Sequence, residues 1–153
     1  MPNSYEPLEG QAKGLVGAAR LFAISAFVPL LEQYDFLGEC KPEDWDFLAT
    51  IGTVHVAIND LVLAVTPARF EVLYSSFIFP ALNNWNPHGQ DAVLDCKQFV
   101  RRTLDASDEM SPADALGLWI LWNLFQRKPS NEEARSAPVI GRTVASALQD
   151  WWN

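Results

Sequence analysis

Cysteine is scarce in this chain: among 153 residues there are two, Cys40 and Cys96, and neither stands in a CxxC or CxxH spacing. Neither a disulfide scaffold nor a zinc site is indicated, and a reduced, cytoplasmic setting is the expectation. Positive charge is short as well, with 11 Lys and Arg against 19 Asp and Glu, a formal net charge of -8. Phosphate backbones are gripped by clustered cations, so nucleic acid is not an expected partner, whereas a protein with a basic surface is.

Several catalytic and phosphate-binding signatures are missing too. There is no G-x-S-x-G elbow, no G-x-G-x-x-G and no G-x-x-x-x-G-K, and Cys96 has no His close to it in sequence. Asp108 and Glu109 form a carboxylate pair, but in a polar loop where solvent keeps both ordinary. A non-enzymatic protein with no cofactor and no metal is therefore the expectation. The first residues, MPNSYEPLEGQAKG, carry acids where an export signal needs positive charge. Gly14 to Leu31 is an apolar run at the lower limit of a membrane span. Arg20 in its middle, Pro29 and many small residues read instead as a buried helix of a protein without a membrane partner.

What is abundant is core material. The hydrophobic fraction is 49%, with six Trp, nine Phe and three Tyr, enough for one core in a single domain spanning 1–153, residues 1–7 forming an extended tail. No stretch alternates cleanly enough for a strand. Helix starts are instead marked by proline at the first position or by capping boxes: Lys41-Pro42, Thr66-Pro67, Asn86-Pro87, Ser111-Pro112-Ala113-Asp114 and Ser130-Asn131-Glu132-Glu133. The spacing predicts helices over about 8–34, 43–65, 67–83, 87–105, 112–127 and 131–151. Pro29, Pro80 and Pro138 fall inside three of them and predict kinks or splits, with 131–136 forming a separate turn. The fold expected is an all-α, compact single-domain bundle of about six helices, with the first, second and fifth supplying most of the core.

Two regions stand out as candidate sites. In Trp45 to Val65, His55 and Asn59 interrupt an apolar run one turn apart, and a polar pair there must be hydrogen-bonded or bound to something. At about 100° per residue, Asp46, Thr50, Thr53, Ala57 and Asp60 gather on a wet face opposite Ile51, Val54, Ile58 and Val62. His55 and Asp60 then diverge by about 140°, and no third ligand supports a metal site. A structural His55 bonded through Asn59 is the first reading. The alternative is a ligand pocket lined by His55, Asn59, Trp119, Trp122 and Asn123, with room beside Gly52. His88, next to Pro87 and Gly89, reads as a turn residue, and Lys97, Arg101 and Arg102 as a short basic surface strip.

The second region is acidic. Glu32, Asp35, Glu39, Glu43, Asp44 and Asp46 cluster around one predicted helix–helix corner with only Lys41 against them. The leading expectation of function follows: a regulator, adaptor or inhibitor that presents this corner to a basic partner. A small-ligand sensor or carrier is the alternative. The content of Leu, Phe and Trp also makes a homo-oligomer compatible with either reading.

Overall fold

Helix α1 (Tyr5–Gln33) begins earlier than the sequence spacing predicts, taking residues 5–7 out of the expected tail; the computed structural model describes residues 5–153, and positions 1–4 of that tail lie outside them. A 3-10 turn at Asp35–Glu39 buries Leu37 and leads to α2 (Pro42–Ala64). Then come α3 (Pro67–Leu73), α4 (Phe79–Trp85), α5 (Gly89–Ala106), α6 (Pro112–Phe125) and α7 (Asn131–Ala145). With α3 and α4 counted as one broken helix, this is an all-α bundle of six helices, and no strand occurs among the described residues.

The start signals act locally as their chemistry requires. Ser111 Oγ accepts from the Asp114 amide and the Asp114 carboxylate accepts from the Ser111 amide, a complete capping box at α6. Ser130 and Glu133 repeat it at α7, where Glu133 also forms a two-pronged ion pair with Arg127 at 2.6 and 2.8 Å. Thr66 caps α3 through the Arg69 amide. Asn86 instead accepts from the His88 amide, so Pro87 sits in the turn and α5 begins two residues later than expected, at Gly89.

The three internal prolines behave differently. Only the third predicted helix divides, through a π-helical stretch at Tyr74–Ile78 in which the Phe79 amide reaches back five residues to Tyr74 O. The wider turn brings Pro80 in as the second residue of α4, where its missing N–H has no intrahelical bond to lose. Helices α1 and α7 run through Pro29 and Pro138 undivided. The separate turn expected at 131–136 is therefore absent, because the capping box and the Arg127–Glu133 pair start α7 at Asn131. At its other end α7 stops at Ala145 rather than 151, and the chain finishes in turns.

Helix α2 is the axis of the bundle, touching α1, α5, α6 and α7. That enclosure removes part of the wet face expected for it, although Asp60 is exposed as expected. Thr50, Thr53 and Ala57 are buried, while Val62 on the supposed inner side is half exposed. Thr53 escapes a polar penalty by donating to Ala49 O at 2.8 Å, whereas Thr50 Oγ1 is buried without a hydrogen-bond partner. Trp45 anchors α2 to α1: it is fully buried, its indole donates to Ala23 O at 2.9 Å, and its ring meets Phe27 at 5.7 Å.

The closest helix pair is α6 with α7, and glycine makes it so. A Cβ on Gly141 would lie 1.7 Å from Ala113 O, and one on Gly117 would lie 2.0 Å from Ala137 O. No side chain fits at either position, so the two backbones touch directly. The chain's last residues return to the bundle: Trp151 Nε1 donates to Gln11 O, Gln11 Nε2 donates to Trp151 O, and Trp152 Nε1 donates to Ala57 O.

Two helices, Leu8–Gln33 and Pro42–Ala64, are long and apolar enough to cross a membrane by length and composition. The same property is shared by core helices of soluble proteins, and 56% of the second span is buried inside this fold.

Candidate functional site

His55 is buried on the central helix, with 5% of its surface exposed. Asn59, one turn on, places its amide nitrogen 3.4 Å from His55 Nε2. An amide nitrogen can only donate, so Nε2 is the acceptor and the imidazole proton belongs on Nδ1. Burial, reinforced by the nearby Lys97 ammonium, lowers the His55 pKa to about 4, so the ring is neutral at physiological pH.

Two hollows meet at this histidine. One, of about 270 Å³, is walled by Val56, Leu116, Pro112, Ala113 and Ala145, so it lies between α2, α6 and α7. The other, of about 260 Å³, opens between α2 and α5 and is lined by Lys97, Arg101, Leu104 and Asp105. His55, Asn59 and Val100 line both, so an apolar hollow and a charged one share a border at these residues. Asp60 also borders the apolar chamber, and burial raises its carboxyl above the usual range. The 140° divergence from His55 thus does not separate the two residues: the chamber spans the arc between them.

Gly52 leaves no room for a ligand. A Cβ there would sit 3.1 Å from Val144 Cγ1 and 3.2 Å from Leu116 Cδ1, so α6 and α7 side chains already fill the space. The hollows open instead one turn further along α2.

The tryptophans expected beside His55 stand elsewhere. Trp119 is buried, its indole donating to Asp95 Oδ2 at 2.9 Å, and Asn123 Nδ2 donates back to Trp119 O at 2.8 Å. Trp122 and Asn123 line a separate, wide groove of about 690 Å³ between α5 and α6, where Trp122 meets Phe99 edge-on at 5.9 Å. Of the five predicted ligand residues, His55 and Asn59 line one site, Trp122 and Asn123 another, and Trp119 neither. Lys97 and Arg101, exposed on α5 as the surface strip read from sequence requires, also line the second hollow at His55.

The acidic corner also divides. Glu32, Asp35, Glu39, Glu43 and Asp44 are exposed on α1, the 3-10 turn and the start of α2. Glu43 and Asp44 occupy the first turn of α2, where carboxylates favour the helix dipole. Asp46 is half-buried, its pKa raised by burial and by Glu43 and partly offset by Arg20. Glu39 acts on Arg127, which its hydrogen bond to Glu133 already holds above its ordinary range. Burial and the neighbouring Asp44 carboxylate raise the Cys40 thiol. Among the described residues, no three His, Cys, Asp or Glu side chains converge as a metal-binding group.

The sequence matches no family model, and neither a curated protein nor a solved structure matches the chain.

Proposed function

We propose that this protein binds a small molecule in the groove at His55, as a carrier or sensor. The observation that carries the reading is a buried, neutral histidine at the shared border of two adjoining hollows of about 270 and 260 Å³, one apolar and one charged. Concave sites that combine an apolar lining with a few fixed polar groups are how helical bundles hold ligands. Filling the apolar chamber by Ala145→Phe tests it. Native mass spectrometry of the protein from its own source is expected to show a small-molecule adduct that the variant lacks. An identical mass profile in both, with no adduct, would count against the reading.

A second reading rests on the five exposed carboxylates of the acidic corner: docking of a protein with a basic surface, in a regulatory or adaptor role. Reversing Glu39, Glu43 and Asp44 to lysine is expected to abolish capture of such a partner, and raised salt to weaken it. Capture that survives both changes sinks this reading.

A further inference from the structure

The two chambers at His55 differ in what they can solvate. The α6–α7 chamber offers aliphatic surface from Val56, Pro112, Ala113, Leu116 and Ala145, which cannot stabilise a charge. Its rim carries Asp60, whose carboxylate repels an anion from that end. The α5 chamber holds Lys97 and Arg101 one turn apart, with Asp105 a further turn on, for a net single positive charge. Among the described residues neither Lys97 nor Arg101 forms an ion pair within 4.0 Å, in contrast to Arg127 with Glu133. Two unpaired cations beside an apolar hole form an asymmetric receptor.

We infer that the groove takes a monocarboxylate with a short apolar body, its hydrocarbon lying between α6 and α7 and its carboxylate against Lys97 and Arg101. This rests on the ligand-binding reading and narrows it to one chemical class. His55 sits at the junction. Because Nε2 accepts from Asn59, its Nδ1–H is the donor, and a neutral ring adds no competing charge where head and body of the ligand meet. Burying the body supplies the affinity, and the cations choose the head group.

The experiment uses the full chain and three probes with one hydrocarbon body: sodium octanoate, 1-octanol and octylammonium chloride. Binding is followed by titration calorimetry and by amide chemical shifts. Octanoate is expected to bind and to shift the amides of Asn59, Val100 and Ala145, with octanol about tenfold weaker, the equivalent of one charged hydrogen bond. Lys97→Gln with Arg101→Gln is expected to cost octanoate about tenfold and to leave octanol unchanged. Ala145→Phe is expected to abolish binding of both. Should that variant lose helicity, Ala113→Leu narrows the chamber from the other side.

Octylammonium or octanol binding as tightly as octanoate overturns the carboxylate assignment. So does octanoate affinity that survives loss of both cations. If binding in those cases still vanishes with Ala145→Phe, the ligand-binding reading stands and only the anion falls. If no probe shifts the groove amides, the inference fails at its apolar half as well.

Discussion

Helices α1 and α2 are alike in composition and opposite in surroundings. Each is long and apolar enough to pass for a membrane span, yet 56% of the apolar stretch in α2 is buried against 33% in α1. The central helix is wrapped by four others. Helix α1 lies outside, burying Ala12, Leu15, Val16, Ala19, Ala23, Ala26 and Leu30 while Leu21, Ile24 and Val28 stand 72, 56 and 58% exposed. Hydropathy thus reports how apolar a segment is, while burial depends on which of its faces the neighbouring helices cover. The covered faces also decide what a polar residue must do: buried Thr53 bonds to Ala49 O within its own helix, whereas the exposed Asp60 on the same helix is left to water.

The sharpest break of this contrast is at the joint between the two helices. Trp45→Ala removes a fully buried ring and leaves Ala23 O without its indole donor. A loss of about 3 to 5 kcal/mol is expected by denaturant titration, and a loss under 1 kcal/mol would mean that α2 does not depend on α1 for its enclosure.

Acid should act on the enclosed helix next. His55 has a folded pKa near 4 against an ordinary 6.5, so the unfolded chain binds its proton first. Stability from this group is complete above pH 6.5 and is lost as pH falls from 6.5 toward 4. The loss approaches about 3 kcal/mol at most. Measured against His55→Gln over that interval, the native chain should show the steeper decline; parallel curves would mean that the imidazole is solvated when folded.

A smaller effect of opposite sign is expected at Thr50. Its hydroxyl is buried and without a hydrogen-bond partner, so Thr50→Val should raise stability by about 1 kcal/mol in chemical denaturation. A decrease would reveal a bond to water at that oxygen. The outer helix supplies the smallest effect: Leu21→Gln, Ile24→Gln and Val28→Gln should each change stability by no more than about 0.5 kcal/mol. Larger losses, growing with protein concentration in light scattering, would show that a second copy covers this face.

Much of the architecture was legible because it is written locally. Proline and capping boxes mark helix starts with chemistry confined to four residues, and Ser111–Asp114 and Ser130–Glu133 close as their spacing requires. Legibility ends where distant segments meet. A helical wheel turns Thr50 and Thr53 toward solvent because it has no knowledge of the helices packed around α2. Gly117 and Gly141 look like weak points in two helices until their backbones are seen in contact. The candidate site follows the same division. His55 and Asn59 were found through a local anomaly, while Lys97 and Arg101 reach them only through the packing of α5 on α2. Trp119, expected among the pocket-lining residues, instead commits its indole to Asp95.

The reciprocal bonds between Gln11 and Trp151 join positions 140 residues apart in sequence. Closing a loop of that span costs chain entropy that no local contact offsets, so the clasp forms only after the intervening helices have shortened the distance. Six further helices, α2 to α7, lie between the two residues, so α1 gains this partner only when they have packed. Until then the Gln11 flank of α1 lacks its indole, and the paired bonds act as a latch across the finished bundle.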